Sequence, residues 1–323
     1  MVKDHQHTPD LVTIGITCYN AEDTISRAIK SALEQEWPNK EIIIVDDCST
    51  DNSIAVIESI IKDQQLINLV RLEQNRGPAA ARNAILNHAN GEYIVFFDDD
   101  DESFPDRVRE QIKTLHDYEK QSGVELIACY ASGKRYYPNG YTITMPAIGS
   151  SKTVPCGTEL VDYLLFFRRQ AGSYYGSGIP TCALLARKKT FEAAGKFDEN
   201  MRRVEDADFA IRLAFLGGHF IGTQKILYSQ YATAASDKSY ESNLQSELYL
   251  VEKNRSYLCS VGRYHYARHW PRLRYWHFKR RYLKFVGEFL LIFIRNPIVV
   301  TKHLFRSGPR RLLHERNMYR SGN

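Results

Sequence analysis

The chain has 323 residues and a net charge of +5, and its content of 43% hydrophobic and 25% charged residues is ordinary for a globular protein. Its six cysteines show no C-x-x-C pair or zinc spacing, and no uncharged apolar run reaches the roughly eighteen residues of a membrane span, which argues against a zinc module and an integral membrane protein. Residues 1–10 are polar and contain no apolar export signal, so we expect a cytoplasmic protein with reduced cysteines.

Strands and helices alternate along the first third of the chain. Apolar runs predict strands at residues 11–17, 41–45, 68–72 and 93–97. Helices are predicted at 21–34, from a cap at Ser49 or Thr50 to about residue 61, and at 78–87, where Pro78 opens the helix. This alternation is typical of a parallel sheet.

The middle of the chain has a mixed pattern. Helices are predicted at residues 105–118, 157–169, 189–194 and 204–216, and strands at 124–130, 142–145 and 181–186. The tripeptide Pro-Asn-Gly at 138–140 predicts a hairpin turn ahead of the strand at 142–145. We therefore expect antiparallel pairing to be added to the parallel sheet.

Four consecutive aspartates, Asp98 to Asp101, follow the apolar run at 93–97. Four like charges in a row repel one another, and a hard divalent cation with oxygen ligands would relieve that repulsion. Ligands of open α/β sheets bind beyond the carboxyl ends of the strands, where this cluster falls. A solvated acidic turn is the alternative. An EF-hand loop is excluded because its sixth position, Ser103, is not glycine.

Five motifs follow one another in a set order at predicted strand ends and helix starts. They are TCYN at 17–20, VDDCSTD at 45–51, NRG at 75–77 with ARN at 81–83, DDDD at 98–101, and FDE at 197–199 with ED at 205–206. Over about residues 12–221 this order resembles the family-2 inverting glycosyltransferases of the GT-A fold. The resemblance implies an α/β domain at 1–235 with a GT-A-like, Rossmann-type mixed sheet flanked by helices, followed by a basic helical extension at 236–323.

The resemblance also implies a nucleotide-sugar donor, most simply UDP-linked, held at the strand ends. Thr17, Tyr19 and Asp47 would surround the base, where a carboxylate can accept the imide hydrogen of uracil. Arg82 would lie near the diphosphate, since a guanidinium holds phosphate oxygens in a fork. The alternatives are a helix-capping role for Asp47 and a plain surface position for Arg82.

The four aspartates align with the D-x-D pattern of the family. Asp100 is then the leading ligand of Mg²⁺ or Mn²⁺, and Asp98 is the leading partner of the ribose or of the metal and its water. Asp99 and Asp101 are left open because the run permits a slip of one residue, and neighbours on a strand point to opposite sides. A bound ion would stabilise the charge that develops on the leaving nucleoside diphosphate.

An inverting transfer needs a base that removes the proton of the acceptor hydroxyl. In the family this base is the aspartate of the E-D pair, which maps onto Asp206. Asp208 lies two residues further along a predicted helix and should point elsewhere. The alternative is that Glu205, Asp206 and Asp208 only complement the positive end of that helix.

The end of the chain is strongly basic. Residues 253–323 contain seventeen Lys or Arg and only two acidic residues, so this segment carries +15 and residues 1–252 carry −10. Trp270 and other aromatics lie among the basic residues, and an apolar run follows Lys284. This combination favours an anionic membrane surface, at the inner face of the cell membrane, over nucleic acid, for which no motif is present. A helical packing extension is the alternative.

These expectations define one function and two rivals. The function is transfer of a sugar, with inversion, to a hydroxyl of a glycan or lipid-linked acceptor in surface polysaccharide synthesis. A sugar nucleotidyltransferase would need a glycine-rich N-terminal loop with a basic residue, which Gly15 alone does not supply. A catalytically silent glycan-binding protein would not need both Asp100 and Asp206.

Overall fold

The structure is a computed structural model that describes residues 9–62, 64–151, 153–232 and 239–319. Its first part alternates strands and helices, as the sequence predicts. The elements are β1 (Val12–Cys18), α1 (Ile25–Leu33), β2 (Lys40–Asp46), α2 (Ser53–Ile61), β3 (Ile67–Arg71), α3 (Pro78–His88) and β4 (Tyr93–Asp98).

The middle part mixes short strands with helices. Its elements are β5 (Glu102–Ser103), α4 (Arg107–Ser122), β6 (Ile127–Tyr136), β7 (Thr142–Met145), α5 (Gly157–Phe166), β8 (Leu184–Arg187), α6 (Lys188–Ala193), α7 (Glu205–Phe215) and β9 (His219–Tyr231). The start of the predicted strand at 181–186 is a 3₁₀ turn, Thr181–Ala183.

All of these strands belong to one mixed sheet. Its order is β3-β2-β1-β4-β8-β6-β9-β5, with β7 paired to β6. The strands β3, β2, β1 and β4 run parallel to one another, whereas β8 is antiparallel to both β4 and β6. The predicted α/β class with a mixed sheet is confirmed.

The sheet is covered on both faces, which explains why its parallel strands are unbroken apolar runs. On one face Ile14 of β1 shares a buried cluster with Ile29 of α1 and Val108 of α4. On the other face the ring of Phe96 in β4 lies edge-on to Phe191 of α6, with centroids 5.6 Å apart. Helices therefore flank the sheet on both sides, as predicted.

The start of α2 differs from the prediction. α2 begins at Ser53 rather than after a cap at Ser49 or Thr50. Ser49 Oγ instead accepts a hydrogen bond from Asn20 N at 2.9 Å, and Thr50 N donates to Asn20 Oδ1 at 2.8 Å. The predicted cap was wrong because both residues join the loop after β2 to the loop after β1.

The long strand β9 is an element that the sequence pattern did not predict. It pairs in parallel with β6, and the register shifts on either side of Ser132. Polar residues from Thr223 to Lys225 interrupt its apolar alternation, so its periodicity is weak. Its end, with Gln230 and Tyr231, lies beside β5 and the four aspartates.

Helices continue to the end of the described chain, as the predicted extension requires. They are α8 (Tyr240–Lys253), α9 (Arg255–Ser260), α10 (Tyr264–Phe278), α11 (Tyr282–Arg295) and α12 (Pro297–Tyr319). Trp270, Leu273 and Ile292 belong to the same buried cluster as Phe96 of the sheet. The predicted division at residue 235 falls within 233–238, outside the described residues, and stays a prediction. None of the described helices is long and apolar enough to cross a bilayer.

Candidate functional site

The parallel register brings the sequence motifs together at one edge of the sheet. Thr17 of β1 lies opposite Asp98 of β4, and Cys18 lies opposite Asp46 of β2. Strands that run in the same direction end at the same edge, so the residues that follow them share one surface. Residues eighty positions apart in the chain therefore become neighbours, as the bond from Tyr19 to Asp99 described below illustrates.

Asp47 organises the loop after β2. Its carboxylate is buried, and its two oxygens accept hydrogen bonds from the backbone N–H groups of Arg76 and Gly77, each at 2.7 Å. Gly77 has a φ of 87°, a conformation that glycine adopts without strain. Burial raises the pKa of Asp47, and the two backbone bonds oppose the shift. Asp47 thus joins the second motif to the third, and it does not cap α2.

Thr17 and Tyr19 lie at the end of β1. Thr17 is half-buried, whereas Tyr19 is 41% exposed and its backbone N–H donates to Asp99 Oδ2 at 2.9 Å. Burial raises the pKa of Asp99 to about 8, and the neighbouring carboxylates of Asp100 and Asp98 add to the shift. The exposed ring of Tyr19 beside a polar strand edge is suited to stacking on a flat base.

Two of the four aspartates form a cluster with a cysteine. Ligand atoms of Asp98, Asp101 and Cys182 all lie within 4.8 Å of one another. Asp101 is buried: its Oδ2 accepts from Gln230 Nε2 at 3.3 Å, and its Oδ1 has no hydrogen-bond partner among the described residues. Burial raises the pKa of Asp101 to about 8, and the charges of Asp98 and Asp100 contribute. The run of aspartates is therefore not a solvated acidic turn.

The chemistry of this cluster fits a hard divalent cation through its carboxylates. An unpartnered carboxylate oxygen and crowded acidic groups are what an oxygen-seeking ion such as Mg²⁺ or Mn²⁺ would relieve. Burial raises the pKa of the Cys182 thiol well above its usual range, and hard cations such as Mg²⁺ and Mn²⁺ prefer carboxylate oxygens to sulfur, so Cys182 is the least suitable ligand of the three. Asp100 is half-buried next to the cluster without belonging to it, and its backbone carbonyl accepts from Arg27 Nη2 at 2.6 Å.

Arg82 of α3 links the aspartates to the start of α7. It is 7% exposed, forms an ion pair with Glu205, and has Nη2 3.8 Å from Asp98 Oδ1. Burial alone would lower the pKa of Arg82, but the carboxylates of Glu205 and Asp98 prevail and raise it. The guanidinium therefore stays charged, and its burial excludes the alternative of a plain surface arginine.

Asp206 lies in the first turn of α7 and is half-buried. Burial and the neighbouring charge of Glu205 raise its pKa to about 7, while Arg82 opposes the shift. Its Oδ1 accepts from the backbone N–H of Ala207 at 2.7 Å. A carboxylate whose pKa lies close to neutrality is well matched to taking a proton from a hydroxyl.

The residue before this turn has an unusual backbone. Val204 has a φ of 58°, and a β-branched side chain is strained in that left-handed region, at a cost of roughly 1–3 kcal/mol. Its carbonyl nonetheless accepts the N–H of Asp208 at 3.0 Å and begins α7. Strain of this kind collects where a side chain must point in one direction. Here the strained residue precedes Glu205 and Asp206.

Asp208 points away from Asp206, as its spacing predicts. It is fully buried and forms ion pairs with Arg212 Nε and Lys253 Nζ, each at 2.8 Å. Lys253 also contacts Asp198 of the FDE motif at 2.6 Å. The acidic residues of this turn therefore have separate partners, and complementing the helix dipole is not their shared task.

The structure adds residues that sequence reasoning missed. Arg27 of α1 lies over the ring of Tyr231, 4.2 Å from its centroid, while it binds the backbone of the aspartate run. Cys182, in the 3₁₀ turn before β8, and Gln230 of β9 contact the same run. None of them belongs to a local motif, so only the sheet order reveals them. The sole earlier signal was that Cys182 lies in the predicted buried strand at 181–186.

Comparison with known proteins bears on this arrangement. The model of a family described as "Glycosyl transferase family 2" matches residues 13–189. "Succinoglycan biosynthesis protein ExoO" of Rhizobium meliloti is 45% identical over 105 residues, which are 32% of this chain and 29% of that protein. WfaP of Escherichia coli, a "UDP-Glc:alpha-D-GlcNAc-diphosphoundecaprenol beta-1,3-glucosyltransferase", is 43% identical over 103 residues, 32% of this chain and 40% of that protein. The matched region is less than half of either relative.

A solved structure supports the fold. The crystal structure of S. aureus TarS 1-349 in complex with UDP-GlcNAc aligns with a TM-score of 0.55 and 18% identity, and it covers 75% of this chain and 66% of that one. At this identity the likeness concerns the fold alone. Because the family model covers more than half of the chain and includes the first four motifs, the chain belongs to glycosyl transferase family 2.

Proposed function

We propose that this protein transfers a sugar, with inversion, from a UDP-linked donor to a hydroxyl of a glycan or lipid-linked acceptor in surface polysaccharide synthesis. Family membership supports the transferase class. The printed names of ExoO and WfaP refer to succinoglycan biosynthesis and to a UDP-Glc donor with a diphosphoundecaprenol-linked acceptor. The TarS structure contains UDP-GlcNAc. Donor, acceptor and stereochemistry are proposals for this chain.

The observation that carries the proposal is the position of Arg82 between two carboxylates. Asp98 belongs to the edge where a donor would bind, and Glu205 adjoins the proposed base Asp206. A charged, buried guanidinium can donate to the oxygens of a diphosphate while it keeps the two acidic groups apart. Donor and base would therefore lie on either side of one fixed side chain.

The proposed reaction is a single displacement. Asp206 takes the proton of the acceptor hydroxyl as that oxygen attacks the anomeric carbon. The new carbon–oxygen bond forms on the face opposite the breaking bond, and the nucleoside diphosphate leaves with the electron pair. A pKa of about 7 leaves Asp206 largely unprotonated in a slightly alkaline medium and strong enough as a base.

The donor contacts follow from the positions of the motif residues. Thr17, Tyr19 and Asp47 would bind the base, and Asp98 the ribose. Asp98 and Asp100 would hold Mg²⁺ or Mn²⁺. When bound, such an ion would neutralise charge on the leaving nucleoside diphosphate.

Two rival functions predict different features. A sugar nucleotidyltransferase needs a glycine-rich loop with a basic residue after its first strand, and residues 17–24 contain neither Gly nor Lys nor Arg. A silent glycan-binding protein would have no use for a half-buried carboxylate with a pKa near neutrality beside a strained backbone. Both observations favour the transferase.

The proposal includes a peripheral position on an anionic membrane. The helix α11 exposes apolar side chains, among them Leu283 at 92% and Ile294 at 75%. Arg280, Arg281 and Lys284 are exposed at its start. An exposed apolar helix face beside a basic rim is suited to the interface of an anionic bilayer. Trp270, in contrast, is buried in the core and is not part of that surface.

The decisive experiment is a screen of nucleotide-sugars with the purified full chain. Protection against thermal unfolding in the presence and absence of Mg²⁺ or Mn²⁺ identifies the donor, because a ligand stabilises the fold that binds it. Release of the free nucleoside diphosphate then measures turnover. Formation of pyrophosphate from a nucleoside triphosphate and a sugar 1-phosphate would instead indicate a nucleotidyltransferase. Binding of glycans without any nucleotide release would indicate a silent protein.

A further inference from the structure

A cavity of about 1180 Å³ lies between the end of α5 and the helix α12. It is separate from the residues of the candidate site described above. Its lining residues are Tyr163, Phe166, Phe167, Arg168, Arg169, Gln170, Ala171, Arg263, Ile298, Val299, Lys302, His303, Phe305 and Pro309. At this volume it exceeds the roughly 300–1,000 Å³ of common small-molecule sites.

The lining of this cavity carries positive charge only. It includes Arg168, Arg169, Arg263 and Lys302 but no Asp or Glu. Arg168 is paired with Asp162 outside the lining, at 3.2 Å. The other three form no ion pair with any described residue. Three uncompensated cations around one space favour an anionic ligand.

The guanidinium of Arg169 is held in place by aromatic rings. Its central carbon lies 5.2 Å from the ring centroid of Tyr163 and 5.6 Å from that of Tyr175. Arginine that is stacked in this way keeps its fork of N–H groups for an external acceptor. A phosphate is the anion whose geometry this fork matches best.

The wall formed by α12 is anchored to the core by His303. Its Nδ1 lies 2.6 Å from the hydroxyl of Tyr266, and its ring stacks on Trp270 with centroids 3.8 Å apart. Burial, with Arg274 and Arg169 nearby, lowers the pKa of His303 to about 4. The imidazole is therefore neutral at pH 7, and the cavity owes its charge to its arginines and lysine.

Part of the lining is apolar and open to solvent. Ile298 is 68% exposed and Phe305 is 78% exposed, and Val299 lies beside them. The neighbouring helix α11 carries the exposed apolar face described above. A ligand with a charged head and an apolar tail would satisfy both kinds of surface, whereas a free sugar phosphate would leave the apolar part in water.

The position of the cavity relates it to the candidate site. An isolated β-bridge between Cys156 and His219 places the start of α5 beside the residues that follow α7. Since α5 also packs along α7, its other end and the following residues 167–171 lie toward the start of α7. That start carries Asp206.

We propose that this cavity binds the phosphate or diphosphate of a lipid-linked sugar acceptor, with Arg169, Arg263 and Lys302 on the phosphate and the Ile298–Phe305 wall on the first part of the lipid. The proposal rests on the proposed transferase function and specifies its acceptor class. The lipid would enter from the apolar face of α11 and α12, and the sugar would point toward Asp206.

The test measures binding of farnesyl diphosphate to the full chain by calorimetry, with farnesol and inorganic pyrophosphate as separate probes. The variant Arg263→Gln with Lys302→Gln should bind farnesyl diphosphate at least about tenfold more weakly, because two charge-assisted contacts are lost. The control Lys113→Gln with Arg268→Gln removes the same charge outside the cavity and should leave the affinity unchanged. Lys302→Glu, at an exposed position, serves as a second variant with little risk to folding.

Each outcome decides the proposal. Selective loss in both cavity variants, with UDP affinity and thermal stability retained, supports it. Equal loss in the control pair, tight binding of farnesol, or pyrophosphate binding as tightly as farnesyl diphosphate would overturn it. Vesicles of anionic phospholipid that displace farnesyl diphosphate from the chain would also overturn it. The cavity would then bind phospholipid headgroups in general. Failure of the chain to release UDP from any donor would refute the transferase function without altering these binding results.

Discussion

Two charged regions of this protein contrast in how their like charges are placed. At the carboxyl edge of the sheet, the aspartates at 98–101 are buried or half-buried, and the pKa of Asp99 and of Asp101 rises to about 8 because burial opposes their charge. At the start of α11, Arg280, Arg281 and Lys284 are exposed to solvent. Buried aspartates that lie close together favour a cation at short range. Exposed basic residues attract an anionic surface at long range.

The two regions also differ in how far their apolar residues are buried. Strand β4 buries its apolar residues on both sides, and Phe96 is 1% exposed. Helix α11 buries Ile292 but leaves Leu283 and Ile294 in water. The sheet edge therefore combines fully buried apolar residues with crowded acidic groups, whereas α11 combines exposed basic groups with exposed apolar residues. The first arrangement is suited to a small ligand, and the second to a membrane surface.

The largest effect that would test this contrast is on chemistry at the sheet edge. Asp206→Asn should reduce turnover by about a hundredfold or more, because the amide cannot take the proton of the acceptor. Donor affinity should change only a few-fold, since the shape is kept. Steady-state kinetics and UDP titration separate the two quantities. The control Asp117→Asn, at an exposed site on α4, should retain full turnover.

If the Asp206→Asn variant turned over at the wild-type rate, Glu205 would become the candidate base. Such a result would require Glu205 to leave its ion pair with Arg82.

Truncation of a buried aromatic tests whether the C-terminal helices belong to the core. Trp270→Ala should lower the free energy of unfolding by about 3–5 kcal/mol, as expected for a large side chain removed from a packed site. Leu283→Ser, at a residue that is 92% exposed, should change it by less than about 0.5 kcal/mol. Denaturant titration measures both. Equal values for the two variants would show that α10 does not pack as described.

The aspartate run provides a sharper test of the cation hypothesis. Asp100→Ala should weaken metal-dependent UDP binding at least about tenfold, as loss of a metal contact does. Cys182→Ser should leave it unchanged because Mg²⁺ and Mn²⁺ prefer carboxylate oxygens to sulfur. Calorimetry with and without Mn²⁺ makes the comparison. If Asp100→Ala binds normally and Asp101→Asn does not, the ion belongs to the buried cluster of Asp98 and Asp101.

The rate of transfer should depend on pH through Asp206. Its pKa is raised to about 7 by burial and by Glu205, and only the unprotonated carboxylate accepts a proton. Turnover should therefore fall about tenfold for each pH unit below that pKa and level off above it. Glu205→Gln removes a negative neighbour and should move this decline to lower pH. A decline that stays in place would assign the titration to another group.

The smallest effects are expected at the exposed charges. Replacing Arg280, Arg281 and Lys284 with Gln should weaken binding to vesicles of anionic lipid by about fivefold per charge, which corresponds to about 1 kcal/mol each. High salt should have the same effect on the parent chain. Vesicle sedimentation measures both, without the core damage that removal of residues 270–323 would cause.

A matched triple variant completes this experiment. Lys62, Lys113 and Lys120 are exposed on other helices or their ends, and their replacement with Gln removes the same charge. That variant should bind vesicles as the parent does. Equal losses in the two triple variants would mean that total charge matters and that α11 has no special role.

Much of the sheet edge was predictable because short sequence patterns specify it. The apolar run before Asp98 predicts a strand, and a parallel strand puts the following residues at the common edge. The place of Asp206 in the first turn of a helix was predictable from the E-D pair, while its role as the base stays a prediction. The partners Cys182, Gln230 and Arg27 were not, because they come from the turn before β8, from β9 and from α1, and no local pattern connects them to the aspartates.

By itself the sequence determined most of the strands and helices up to α7, though not β5 or β9, together with the four motifs at the strand ends, the E-D pair and the basic character of the end of the chain. These depend on periodicity and composition, which act over a few residues. Only the tertiary structure decided which charges are buried, that Arg82 bridges Asp98 and Glu205, and that Trp270 belongs to the core while Leu283 does not. Burial and pairing depend on neighbours distant in the chain, and those neighbours are set by sheet order and helix packing.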